Sequence, residues 1–405
     1  MSWEYVTLDK QGQVSRGVSK HRPRNDPALF GGEYPFIQTA DVKAAGLYLT
    51  NYTDTYNEQG LKQSKLWKAG TLCITIAANI ADTAILGIDA CFPDSIMGFI
   101  PYDGISNVKF VKYAFDILQR DCKTISQGTA QDNLSWNKLS TILFPAPPIE
   151  VQNRIVDVLS AYDDLIENNQ KQIKLLEEAA QRLYKEWFID LRFPGHESTP
   201  IVEGIPEGWR LIPLSEAFDY LRGKSYTAKE LDDMHGDLLV NLKSIRPFGG
   251  YNRNAEKRFT GKYKEEQSLN AGDIIMGVTD MTQERRLVGS VAIVPDLREP
   301  MTFSMDLIKL IPKCVTKSYL YSIMLHGGLS RKIALLANGV NVLHLKPEAM
   351  MGITMLLPSI ETMLEYDQLF SPIQARIEAL QNQADFAAMS RDYLLPKLMN
   401  GELEV

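Results

Sequence analysis

The chain is written twice, and that repeat restricts its architecture more than any other feature. At an offset of 206, Trp3 and Leu8 of WEYVTL match Trp209 and Leu214 of WRLIPL. LWKAGTLCIT, with Gly70, resembles LNAGDIIMGVT, with Gly272. Further on the offset becomes 211. There Gly128 and Leu134 match Gly339 and Leu345, and Ile149-Glu150 after FPAPP match Ile360-Glu361 after LLPS.

The repeat is strongest where it is helical. Ile155, Leu159, Tyr162, Ile166, Asn169, Ile173, Leu176, Ala180 and Leu183 are spaced alternately by four and three. Their counterparts 211 residues later are Tyr366, Phe370, Ile373, Ile377, Leu380, Ala384, Ala387, Arg391 and Leu394. That rhythm keeps one face of a helix against a partner helix. Matched seams of equal length predict two long helices packed on each other, antiparallel, with Asn169 fixing register at some cost in stability. The plainer alternative is a pair of helices that stabilise separate lobes. Proline-rich punctuation (FPAPPIE, LLPSIE) precedes each helix, where proline suits a turn or a helix start. The first helix is expected to end near Trp187-Phe188, before FPGHESTP. Roughly 40 residues at about 1.5 Å each make a rod of about 60 Å. Pro372 in the second helix predicts a kink or restart, a short helix followed by a long one.

The expected segments are 1–148, 149–193, 194–358 and 359–405. The two large ones carry β-branched runs such as GTLCITIA, TAILGIDA, DIIMGV and SVAIVP, bounded by Gly, Asp or Pro. Shorter helical stretches, VKFVKYAFDILQRD and SYLYSIMLHGGLSRKIALLA, close each lobe. The expected fold is α+β: two strand-rich domains separated by two long α-helices that pair as an antiparallel coiled coil, with an internal pseudo-two-fold repeat.

Net charge is −7, but it is unevenly placed. Residues 1–149 carry 14 basic and 14 acidic side chains, and residues 194–358 carry 20 and 19. The acid lies in 150–193 (6 basic, 9 acidic) and 359–405 (3 and 8), so each large segment can still present a basic face. No apolar run approaches the roughly 20 residues needed to span a bilayer, and MSWEYVTLDK is unlike a secretory signal, so a cytoplasmic protein is expected. Cys73, Cys91, Cys122 and Cys314 form no C-x-x-C pair and read as buried free thiols. His21, His196, His235, His326 and His344 show no metal-ligand spacing. APPI at 146–149 lacks both the amide or acid and the aromatic residue of an amino-methyltransferase motif. Arg222-Gly223-Lys224-Ser225 ends like a phosphate-binding loop, but Phe218 stands where the earlier glycine is needed. There is no G-x-S-x-G elbow. The motifs therefore point to no catalytic, metal or cofactor site in this chain.

AAQRLYKEWFIDLRFPGHE followed by IPEGW resembles the central conserved region of the specificity (S) subunits of type I restriction-modification enzymes. RDYLLPKLMNGELEV resembles their C-terminal conserved region, and YPFIQTADV and SLNAGDIIM resemble recurrent recognition-domain segments. The resemblance covers essentially the whole chain. It implies that 1–148 and 194–358 are target-recognition domains reading double-stranded DNA as two unlike half-sites. It also implies partners: two adenine methyltransferase (M) subunits and restriction-translocase (R) subunits, which would carry AdoMet, ATP and magnesium. A specificity subunit of another DNA-modification or phage-defence complex is the alternative, or a coiled-coil scaffold for protein interaction.

Candidate DNA contacts follow from basic and polar residues in loops. Segment 14–24 holds Arg16, Lys20, Arg22 and Arg24. Segment 243–264 holds Lys243, Arg246, Arg253, Lys257, Arg258, Lys262 and Lys264 against the single acid Glu256, interleaved with Phe248, Tyr251, Phe259 and Tyr263. Basic residues among aromatics suit a phosphate-contacting surface, although a solvated face has the same composition. Gln38, Thr39, Asn79, Gln127, Thr129, Asn252, Thr279, Thr282, Gln283 and Asn341 could reach base edges, or serve as turn caps. Gly128 and Gly339 are expected to serve backbone geometry. On the helices, Asp163, Asp164, Glu167, Glu177, Glu178, Glu365, Asp385 and Asp392 are expected to form acidic outer faces that dock the M subunits.

Overall fold

The computed structural model describes residues 3–76, 82–125 and 136–405. The chain forms two units, residues 1–169 with 382–405, and residues 170–381. Both draw on the two long helices, Ile149–Tyr184 and Ile360–Met399.

In the first unit, Tyr5–Thr7 pairs antiparallel with Leu143–Pro145 and closes the lobe. A five-stranded sheet runs in the order Gly12–Arg16, Ile96–Pro101, Leu72–Thr75, Thr83–Leu86, Tyr48–Leu49, and only the last pairing is parallel. A four-stranded sheet (Asp54–Tyr56, Phe30–Phe36, Ala90–Cys91, Leu66–Trp67) lies beside it. All of Leu72–Thr75 is buried, because successive side chains point to opposite faces and both faces are covered. Leu72 and Ile74 join the core of helix Val108–Ile125 with Phe110 and Phe115, while Cys73 joins Trp67 and Phe92 on the other side. The first core also takes Ile155 and Leu159 from the first long helix and Leu395, Leu398 and Met399 from the second. The helices run antiparallel here. Asn169 is buried and its Nδ2 donates to Gln383 Oε1 at 3.0 Å, and one turn and a half earlier Asp163 pairs with Arg391.

The second unit repeats the closing pair, Arg210–Pro213 antiparallel to Thr354–Leu357. Its sheets are ordered Phe218–Arg222, Leu307–Pro312, Ile274–Gly277, Val291–Ile293, and Leu231–Asp232, Lys257–Phe259, Asp237–Val240, Met301–Phe303, Ser268–Leu269. Ile274 and Met276 enter one core and Ile275 the other, as in the first lobe. After Tyr184 the first long helix ends in a π-turn, Lys185–Ile189, close to the expected end. Phe188 packs on Tyr319 and Tyr366, with ring centroids 4.8 and 5.0 Å apart. Tyr366 Oη donates to Ser322 Oγ at 2.8 Å or accepts from it, and Tyr319 Oη donates to the Leu356 carbonyl at 2.7 Å. Here too the helices pair antiparallel, with Trp187 5.8 Å from Tyr366 and Arg376 reaching Gln172.

None of the eighteen seam positions is exposed. Seam residues pack on the partner helix and on the lobes together, so both expectations for them hold at once. Two expectations are corrected. Pro372 neither kinks nor restarts its helix, which runs unbroken from Ile360 to Met399. Pro372 and Gln368 are both exposed, so the carbonyl that loses its N–H partner meets water. Buried Tyr366, Phe370 and Leu380 hold the helix on either side. Cys73 and Cys91 are buried as expected, but Cys314 is exposed. No described helix is long and apolar enough to cross a membrane.

Candidate nucleic-acid interface

In the second unit three loops converge, built around residues 246–250, 281–287 and 338–342. Short pairing of Thr279–Asp280 with Leu343–His344 sets the second beside the third. Gln283 Nε2 donates to the Val340 carbonyl at 2.9 Å, and the Phe248 N–H donates to the Arg286 carbonyl at 2.7 Å. Gly339 has φ 154°, and a Cβ there would lie 1.9 Å from the Val342 carbonyl oxygen, so glycine is required. Phe248 and Arg285 hold left-handed backbone, φ 67° and 53°, which side-chain-bearing residues rarely adopt. The cluster exposes large apolar tips: Met281 at 79%, Val340 at 88% and Leu335 at 69%. A cavity of about 310 Å3 opens among Phe248, Arg285, Met324, Leu325, Arg331 and Leu335.

Of the candidates, Thr279, Thr282, Gln283 and Asn341 are brought together here. Thr282 and Asn341 are exposed, while Thr279 is buried and donates to Asp306 Oδ1 at 3.1 Å. Asp280, which sequence reading passed over, organises the group from a fully buried position. Burial would raise its pKa, but bonds donated by Leu287, Thr282 and Val288 outweigh that and hold the carboxyl below its usual value. An Asp two residues before a Thr is a turn signal that sequence reading can use.

The basic segment 243–264 is partly committed to ion pairs. Arg246 reaches Glu177 at 2.8 Å, and Arg258 pairs with Glu299, which raises the Arg258 pKa. Lys257 lies 5.6 Å from the Tyr226 ring centroid. Tyr251 donates to Glu256 at 2.6 Å, and burial pushes its hydroxyl well up. Asn252 Nδ2 caps the Lys243 carbonyl at 2.8 Å, and Lys243 itself is exposed. Arg253 is half-buried.

In the first unit Arg16, Lys20, Arg22 and Arg24 are all exposed. Arg22 donates to the Ser19 and His21 carbonyls at 2.7 and 2.8 Å, and Arg24 pairs with Asp94. The adjoining His21 bonds Asp26 at 2.8 Å. Gln38 caps helix Thr39–Ala44 and bonds Asp54, and Thr39 is half-buried. Asn79, Gln127, Thr129 and Gly128 lie outside the described residues.

The acidic outer faces need correction at one position. Asp163 points inward, only 10% exposed, and is held by Arg391 and the Tyr113 hydroxyl. The Glu177 and Asp392 side chains stay 41% and 43% exposed, although each has a basic partner, Arg246 and Arg391. A four-three seam carrying an arginine was the available signal that a carboxylate stood opposite.

Comparison with known proteins says what such lobes are similar to. Residues 2–178 match the family model of the type I restriction modification DNA specificity domain. The chain is 26% identical to the type I restriction enzyme MjaIX specificity subunit of Methanocaldococcus jannaschii, covering 100% of this chain and 94% of that one. It is 21% identical to the MjaVIII specificity subunit of the same organism, covering 92% and 87%. Both comparisons point one way: what this chain is similar to is the specificity subunits of type I restriction enzymes. The fold agrees with the crystal structure of a type I S subunit from M. genitalium, with a TM-score of 0.59 at 15% identity over 98% of this chain and 96% of that one. Among the described residues, no group of three or more His, Cys, Asp or Glu could hold a metal ion.

Proposed function

We propose that this chain is the non-catalytic specificity (S) subunit of a type I restriction-modification enzyme, reads a bipartite, asymmetric DNA target, one half-site per lobe, and recruits two M subunits and R subunits to it. AdoMet, ATP and magnesium would be bound by those partners. The observation that carries the reading is a shared frame with unlike loops. In sequence, seven residues separate strand Leu72–Thr75 from strand Thr83–Leu86, while thirteen, including the short strand Thr279–Asp280, separate Ile274–Gly277 from Val291–Ile293. Matched sheets would approach DNA alike, and unmatched loops would read different bases. Basic loop residues would contact phosphates and set position, while polar side chains would select bases at roughly 1–3 kcal/mol each. For docking M subunits, the second long helix offers Phe386, Met389 and Tyr393, which are 72%, 71% and 64% exposed on one face. Mapping modified adenines across the host genome tests the reading. The expected result is a motif of two unlike halves with a fixed gap; a continuous or palindromic motif would sink it.

A further inference from the structure

The loop cluster of the second lobe hangs on one side chain. Asp280 is fully buried. Its Oδ1 accepts from the Thr282 N–H at 2.8 Å and the Thr282 hydroxyl at 2.7 Å. Its Oδ2 accepts from the N–H groups of Leu287 at 2.5 Å and Val288 at 3.1 Å. One carboxylate thus ties both ends of the 281–287 loop. The loop in turn holds its neighbours, through Gln283 to the Val340 carbonyl and through the Arg286 carbonyl to Phe248. The Arg286 carbonyl also takes the Ser290 hydroxyl at 2.8 Å. The side chains of Met281 and Val340 stand exposed at the tips of these loops.

We propose that Asp280 is the positioning residue for the second lobe's reading loops, and through them for the base preference of one half-site. The inference rests on the reading of these loops as a DNA-contacting surface. A carboxylate suits the task because it is acceptor-only and can take all four donated bonds. Asparagine has the same size but presents an NH2 group to one loop end. In either amide orientation a donor would face a donor, so one end of the loop is released without a cavity in the core.

The test is selection of bound duplexes from a randomised pool by the full chain, read by sequencing. Wild type should return two half-sites. Asp280→Asn should weaken discrimination at one half-site on the order of tenfold. The other half-site, and the slope of log affinity against log salt, should be unchanged, because phosphate contacts made elsewhere persist. Equal loss at both half-sites would show a general structural role and overturn the proposal; so would full discrimination at both. A Gln283→Ala, Asn341→Ala double variant separates the proposal from the reading beneath it. Lost preference there with none in Asp280→Asn refutes the Asp280 role alone. If the double variant keeps both half-sites, these loops do not read bases, and the proposal falls with that reading.

Discussion

Position 391 shows why a charged residue can occupy an apolar seam. Ala180 fills the matching place in the first repeat, but Arg391 extends to Asp163, which also accepts from the Tyr113 hydroxyl. Nearby, Lys112 bonds Asp116 at 2.6 Å, and burial raises the Asp116 pKa despite that partner. The group joins helix Val108–Ile125 of the lobe to both long helices within the first unit. A pair this sheltered is worth little net, since desolvation offsets attraction, but losing one member leaves an uncompensated charge. Arg391→Ala should therefore cost about 3–5 kcal/mol. At the size of this unit that lowers its melting temperature by roughly 10 °C. Replacing Asp163 and Arg391 together should cost less than the sum of the single changes. A loss below about 1 kcal/mol for Arg391→Ala would mean the pair behaves as a solvent-screened one.

Among the elements, the long helices were legible because a four-three rhythm is a local signal that eighteen positions report together. Strands were legible as apolar runs, but their order was not, because pairing joins residues far apart in sequence, such as Tyr5 with Pro145. The loop architecture was least legible. Asp280 acts through backbone N–H groups, which every residue has, so no pattern of side chains announces its partners. Pro372 misled for a related reason: intrinsic preference said break, and packing of Tyr366, Phe370 and Leu380 overruled it. That proline still lacks its hydrogen bond and crowds the preceding turn. Pro372→Ala should stabilise the second unit by about 1–3 kcal/mol, read as a raised melting temperature. No gain would mean that solvent already satisfies the freed Gln368 carbonyl at no cost.

At the level of the molecule, the two units differ in how the chain supplies them. The second is one continuous stretch, 170–381, which contains both of its helix segments. The first is discontinuous. Its core needs Leu395, Leu398 and Met399 from the far end of the chain, against Ile155, Leu159 and Phe110. Uncovering a large apolar side chain forfeits roughly 1.5–3 kcal/mol. Half a dozen such losses rival the 5–15 kcal/mol that typically separates folded from unfolded. A fragment of residues 170–381 should therefore melt cooperatively by itself, with near-UV circular dichroism from its packed aromatic cluster. A fragment of residues 1–169 should lack a cooperative transition and gain one when a peptide of residues 382–405 is added. Cooperative melting of 1–169 without the peptide, at the temperature seen in the full chain, would show that the far end adds nothing to that core.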